Sequence, residues 1–360
     1  MLPKWVKDIY WPLIFSMLGL VSVGVLFVHS AAHYSAENFA AKQLIWAVAG
    51  FVAFFVVARI GYRTFLGTSY LLYGIGLALL VWVMVAGDMR LGAQRWIHLG
   101  AFALQPSEFA KLATVMALAN FLGSHHSWEK EFRTVVTAAG IVFLPFILII
   151  KQPDLGTSLL FVAMIGALLF LWGIRYRYLI ATTLLGLVGA PFLWTFLKEY
   201  QKKRILVFLN PNLDPLGAGY TAVQSRIAVG SGGLLGKGYL AGTQTQLQFV
   251  PEHHTDFIFC VIGEEWGFAG SLLLLALYGF LFHAAFQVME KTTDVKAKLL
   301  VGGILSVFFA QVFINIGMSF GLMPITGLTL PLISYGGSSF VATCIGLGLI
   351  LSIYKERSIF

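Results

Sequence analysis

The stretch YWPLIFSMLGLVSVGVLFVHS, residues 10–30, is apolar over the length a single α-helix needs to cross a bilayer, about twenty residues. Lys4 and Lys7 precede it, and its apolar run to Val28 is longer than the core of a secretory signal. Ser30-Ala31-Ala32 resembles a cleavage site, but the length favours an uncleaved signal-anchor helix. Similar stretches recur near 43–60, 66–86, 106–123, 134–150, 156–173, 178–197, 257–286, 298–320 and 336–354. The expectation is an all-α polytopic membrane protein of about ten transmembrane helices, a single integral membrane domain over residues 1–360 with both termini on one side.

Composition agrees. The 360 residues are 58% hydrophobic, 15% aromatic and only 11% charged, with mean hydropathy +0.84, too much apolar surface for a water-soluble globule. The net charge of +8 does not point to nucleic acid, because the basic residues sit in short clusters between apolar runs rather than along one face. Cys260 and Cys344 each lie in an apolar run and read as packing residues.

Short loops that keep Lys and Arg are cytoplasmic. With the N-terminus inside, every inner segment is basic: Lys4 and Lys7, Arg59 and Arg63, Lys130 and Arg133, Arg175 and Arg177, Lys291, Lys296 and Lys298, Lys355 and Arg357. The outer basic residues concentrate in 87–105 and 199–255, which therefore hold positive charge for a reason other than topology. Segment 199–255 is the one long polar connection, a long extracytoplasmic loop, and loops of that length usually carry function or disorder. Within it, Val223 and Ile227 stand four apart in Thr221–Ala228, the spacing of a short interfacial helix.

Several outer-face residues carry chemistry. Gly230–Gly238 is glycine-rich but fails the Walker spacing, so it reads as a flexible turn or as amides plus Lys237 near a lipid phosphate. Pro251-Glu252-His253-His254-Thr255-Asp256 runs directly into an apolar stretch and places Asp256 at the outer boundary. Desolvation there would tune a carboxylate for general-base work, whereas the bland reading is a helix cap. Glu264 and Glu265 lie deeper in the same expected span, at about 2.5 to 3.5 kcal/mol each on insertion scales, so they need a cavity, a partner or a proton. Glu108 and Lys111 stand three apart after Gln105-Pro106-Ser107 and read as an ion pair or as a cationic contact to a pyrophosphate. Arg95 adds a cation beside Trp96, and Asp154 in Gln152-Pro153-Asp154 reads as a cap. Pro324–Ser339, which holds Pro331 and Ser334-Tyr335-Gly336-Gly337-Ser338, suits a re-entrant or broken-helix element. Adjacent His253 and His254 without HExxH or CxxC argue against zinc, and no GxSxG elbow is present.

Gln94-Arg95-Trp96, Gln105–Lys111, Gln152–Thr157 and Pro331–Ser338 occur in this order in one family, and the chain resembles the shape, elongation, division and sporulation family over nearly its whole length. Gly242–Leu247 ahead of the Pro-Glu-His-His-Thr-Asp-Phe-Ile run looks like the elongation branch rather than the division branch; Trp266 departs from a usual Leu. The resemblance implies a peptidoglycan glycosyltransferase that polymerises lipid II at the outer face of the cytoplasmic membrane and releases undecaprenyl pyrophosphate. It further implies a class B penicillin-binding protein and other elongation-complex membrane proteins as partners, a divalent cation (Mg2+ or Mn2+) and no organic cofactor. By the same resemblance Asp256 is the catalytic carboxylate. Arg95, Lys111 and Lys237 then supply charge for the pyrophosphate and Glu108 holds Lys111, with Asp154, His254, Thr255, Glu264 and Ser334 in supporting positions. Two readings from other classes compete. A lipid II flippase needs a hydrophilic path to both faces, for which only Glu264 and Glu265 speak; a scaffold leaves the membrane-embedded charges without purpose.

Overall fold

The computed structural model describes residues 10–35, 37–90, 93–99, 102–125, 131–178 and 199–357, with isolated positions between 180 and 195. Its helices are α1 (Trp11–Ala31), α2 (Phe39–Ile60), α3 (Tyr62–Gly67), α4 (Ser69–Ala86), α5 (Pro106–Gly123), α6 (Glu131–Lys151) and α7 (Leu155–Trp172). They continue with α8 (Glu199–Leu209), α9 (Ala218–Ser231), α10 (Thr243–Gln246), α11 (Ile258–Glu265), α12 (Gly267–Lys291), α13 (Val295–Ser319) and α14 (Gly337–Arg357). Among the described residues eight helices are long and apolar enough to cross a membrane: α1, α2, α4, α6, α7, α12, α13 and α14. The expected span 106–123 is α5, less apolar because it carries Glu108 and Lys111, and buried at every position from Ala110 to Ala119. Lys4, Lys7, Lys130 and most of the expected span 178–197 lie outside the described residues.

The chain forms two compact units. The first holds residues 1–61, 206–288 and 308–360; the second holds 62–205 and 289–307, so the division runs through α13.

In the second unit α4 packs on α5, and α6 and α7 pack on one another. The expected loop 87–105 contains a three-stranded antiparallel sheet, β1 (Asp88–Arg90), β2 (Ala93–Leu99) and β3 (Phe102–Leu104) in that order. Asp88 pairs with Trp96, and Ile97 with Leu104.

In the first unit α2 and α14 pack along one another at close range, since a Cβ on Gly348 would come 2.6 Å from the Phe54 carbonyl oxygen and one on Gly50 2.7 Å from Cys344 Sγ. Small residues at such crossings are how membrane helices gain van der Waals contact without a hydrophobic drive. Thr221–Ala228 does lie in a helix, α9, whose Val223 and Ile227 are exposed while Ala222, Ser225 and Ala228 are buried.

The expected continuous span 257–286 is instead two helices, broken at Trp266–Gly267. A break inside an apolar run leaves carbonyls at one end and amides at the other without partners. The glycine stretch after α9 supplies both sets. Lys237 N and Gly238 N donate to the carbonyls of Glu264 and Glu265, both at 3.0 Å, while Phe268 N and Ala269 N donate to Gly233 (2.9 Å) and Leu234 (3.0 Å). Gly233, Gly236, Gly238 and Gly267 all have positive φ, and a Cβ on Gly236 would lie 2.1 Å from the Glu265 carbonyl oxygen. Gly230–Gly238 is thus an ordered plug in the break rather than a flexible turn.

The segment before α14 is irregular and largely buried, as its composition suggested, and side chains from the surrounding helices satisfy its backbone. Asn315 Nδ2 donates to the Leu328 carbonyl (2.6 Å), Gln311 Nε2 to Thr329 (3.1 Å), Tyr278 Oη to Pro331 (2.5 Å) and Gln43 Nε2 to Ser334 (3.3 Å). Helix α1 closes on this segment at Gly24, where a Cβ would stand 2.6 Å from the Leu332 carbonyl oxygen and 2.8 Å from Ile333 Cα. Gly24→Leu is therefore expected to destabilise by about 1–3 kcal/mol or more, since backbone cannot yield as a side chain can. Gly140→Leu, where no heavy atom lies within 4 Å, should leave the melting temperature in detergent unchanged.

Candidate active site

Asp256 stands at the end of a tight turn that enters α11. Glu252, at φ 49°, turns its carbonyl toward the amides of Thr255 (3.2 Å), Asp256 (3.1 Å) and Phe257 (3.3 Å). Thr255 Oγ1 donates to the same carbonyl at 3.2 Å, so this hydroxyl braces the turn. The N-cap of α11 is Phe257, which makes no side-chain cap; Asp256 lies one residue earlier and is half-buried.

Two histidines fix the approach to the turn. Both ring nitrogens of buried His253 face carbonyl oxygens, Nδ1 at 2.9 Å from Val250 and Nε2 at 2.8 Å from Ala31. The His254 ring packs on Phe39, centroids 4.6 Å apart, and its carbonyl accepts from Tyr335 N at 3.1 Å. A cavity of about 340 Å³ opens beside it, walled by Tyr34, Phe39, Gln246, Glu252 and His254 among others.

Asp256 is held from the far side as well. Asn315 Nδ2 donates to its carbonyl at 2.8 Å, and a Cβ built on Gly327 would lie 3.3 Å from Asp256 Oδ2. Neither Asn315 nor Gly327 was among the residues singled out from sequence. The signal for Asn315 was available: Gln311 and Asn315 are amides four apart inside an apolar run, and a polar side chain within a span marks an interior or functional position.

Glu264 is fully buried and saturated with donors. Lys237 Nζ (2.7 Å), Gln244 N (2.8 Å), Thr245 N (3.0 Å) and Thr245 Oγ1 (2.9 Å) all reach its carboxylate. The ammonium of the partly exposed Lys237 is thus engaged by Glu264, which gives that carboxylate the partner its burial requires. Glu265 accepts from Ser30 Oγ at 2.5 Å. Ser334 Oγ accepts from Leu330 N at 2.7 Å, which makes this hydroxyl part of its own turn.

In the second unit, Lys111 Nζ lies 3.0 Å from Glu108, both buried, as the spacing of three indicated. Arg95 joins β2 to the turn before α7: its Nε donates to the Gln152 carbonyl at 3.0 Å, its Nη2 to the Pro153 carbonyl, and its Nη1 is 3.9 Å from Asp154 Oδ2. Asp154 caps α7, accepting from Thr157 N at 3.1 Å and Thr157 Oγ1 at 2.9 Å. No group of three or more His, Cys, Asp or Glu side chains forms a metal cage among the described residues.

A model of the FtsW, RodA and SpoVE cell cycle proteins matches residues 9–359. The chain belongs to this family. MrdB of Escherichia coli K12, named a peptidoglycan glycosyltransferase, is 43% identical over 310 residues, 86% of this chain and 83% of its own length. A solved structure described as the coordination of polymerization and crosslinking by a peptidoglycan synthase complex is similar at TM-score 0.83 and 35% identity, over 96% of this chain and 98% of that one. The Thermus thermophilus rod shape determining protein RodA is similar at TM-score 0.74 and 31% identity, over 99% of each chain. As family membership implies, this is a multi-pass membrane protein.

Two outcomes follow from the geometry. The Lys237 side chain is 27% exposed and Glu264 fully buried, so Glu264→Ala leaves the amides of Gln244 and Thr245 without their acceptor while the lysine can turn to solvent; a loss of about 1–3 kcal/mol, read as a lower melting temperature, is expected. Burial holds the His254 imidazole below its usual value of 6.5, against the pull of the Glu252 and Glu37 carboxylates. The unfolded turn then binds the proton more readily than the folded one, so its stability is complete above about pH 6.5 and declines as pH falls below it. Amide protection over 252–257 should drop between pH 7.5 and 5.5, and His254→Phe should shrink that drop.

Proposed function

We propose that this chain is a peptidoglycan glycosyltransferase of the RodA type, which polymerises lipid II into glycan strands for cell elongation. The observation that carries the proposal is the 43% identity, over 86% of the chain, to a relative named for that activity. The relatives named FtsW are 34–37% identical, below that figure, although the Treponema pallidum RodA is itself 33% identical.

In the reaction, the Asp256 carboxylate takes the proton from an acceptor sugar hydroxyl. The oxygen attacks the anomeric carbon of the donor, the bond to the pyrophosphate breaks, and undecaprenyl pyrophosphate leaves with the electron pair. Half-burial keeps this carboxylate drier than a surface aspartate, which suits a base. Arg95 and Lys111 as contacts to the pyrophosphate rest on the sequence resemblance alone. A divalent cation would enter with the substrate's pyrophosphate, because a protein cage is not built among the described residues. We place the protein in the bacterial cytoplasmic membrane with both termini inside and the active site on the outer face, on the basic inner loops. The synthase-complex neighbour supports a class B penicillin-binding protein as partner.

The test is lipid II polymerisation by the purified protein with its penicillin-binding partner. Asp256→Ala should cut the rate by about 10²–10⁴-fold while the variant still folds and binds the partner. Undiminished strands would remove Asp256 as the base, and lipid II flipping without any polymerisation by the wild type would replace the transferase with a transporter. Chelation with EDTA should lower the wild-type rate, and added Mg2+ or Mn2+ should restore it.

A further inference from the structure

The backbone around Asp256 poses a local problem. At the start of α11, Cys260 N donates to the Phe257 carbonyl at 2.9 Å, three residues back, so the helix takes its first bond there rather than from Asp256. The Asp256 carbonyl accepts instead from Asn315, which projects from α13 and is wholly buried. The same Nδ2 donates to the Leu328 carbonyl, so one amide nitrogen spans two strands of irregular backbone, at 2.8 and 2.6 Å. Two carbonyl oxygens at that distance fix which way the amide points, since its own oxygen in their place would be repelled.

What the amide joins is specific. Leu328 follows Gly327, at φ 75°, the residue whose missing Cβ leaves room beside Asp256 Oδ2. Asn315 thus ties the backbone that carries the carboxylate to the backbone that sets the space next to it. The other end of the amide, Oδ1, is buried without a hydrogen-bond partner.

We infer that Asn315 is the positioning residue for Asp256: its amide clamps the Asp256 and Leu328 carbonyls and so fixes the carboxylate relative to the acceptor hydroxyl. The inference rests on Asp256 being the base. Displacement of a catalytic group by about 1 Å costs on the order of 100-fold in rate, so the clamp acts on turnover rather than on substrate affinity.

The experiment measures kcat and KM for lipid II polymerisation by the complex with its penicillin-binding partner, for wild type, Asp256→Ala, Asn315→Ala, Asn315→Leu and the double variant Asp256→Ala with Asn315→Leu. Asn315→Leu fills nearly the same volume and removes the unpaired oxygen, so it guards against simple collapse of the site. The expected result is a fall in kcat of about 10- to 100-fold for both Asn315 variants, KM within about twofold, and little change in melting temperature. The double variant should be no slower than Asp256→Ala, because a positioning residue has nothing left to position. A folded Asn315 variant with wild-type kcat overturns the inference while leaving the base intact. So does loss of the folded state in both, which would make Asn315 structural, and so does a further fall in the double variant. Polymerisation that survives Asp256→Ala overturns the reading of the base itself, and is recognisable because it appears without any change at Asn315.

Discussion

Backbone amides and carbonyls with no water to turn to govern the first unit. The α11–α12 break and the irregular run before α14 each expose several such groups among apolar residues, where an unsatisfied one costs several kcal/mol. The two sites solve the problem differently. At the break, backbone serves backbone: the glycine plug donates to Glu264 and Glu265 and accepts from Phe268 and Ala269. The positive φ values within the plug fall on glycines, and at Gly236 a Cβ would meet the Glu265 carbonyl, so the absent side chain lets the plug come this close. At the irregular run, side chains serve backbone, with Gln43, Tyr278, Gln311 and Asn315 each reaching one or more carbonyls.

Both solutions bear on the turn that presents Asp256. Because the break ends α11 after eight residues, Asp256 stands just ahead of a short helix rather than a membrane-long one. The charge of Glu264 at the end of that short helix is met by Lys237 from the plug and by the amides of Gln244 and Thr245, so the same loop that closes the break also neutralises its acid. The irregular run in turn supplies Tyr335, whose amide holds the His254 carbonyl, Leu328, whose carbonyl shares the Asn315 amide with Asp256, and Gly327, which leaves room beside the Asp256 carboxylate.

Much of this was legible because it depended on short-range rules. Hydropathy located the eight long apolar helices and α5 among the described residues; a spacing of three gave the Glu108–Lys111 pair; Asp154 ahead of an apolar run gave a cap; Val223 and Ile227 marked a helix. What was missed depended on distant partners. Hydropathy runs unbroken through Gly263-Glu264-Glu265-Trp266-Gly267, so only the two carboxylates hinted at the break, and the plug that makes it tolerable lies some thirty residues earlier. The Lys237–Glu264 pair is not legible in the local pattern because the partners stand 27 residues apart. The strands at 88–104 are three to seven residues long, too short for a clear alternation.

Whether Asp256 serves its own helix or another molecule turns on what the fold constrains. A residue kept for capping needs its side chain on the first amides of the helix and tolerates a loosely held backbone. Here the N-cap belongs to Phe257, and the constraint falls on the main chain: the Glu252 carbonyl gathers three amides, Tyr335 holds the His254 carbonyl and Asn315 holds that of Asp256. Fixing the backbone on both sides of one carboxylate sets the direction in which its side chain leaves the turn, with a glycine opposite its oxygen leaving room there. A main chain held in this way is what the proposed base would need for its geometry to suit a reacting hydroxyl.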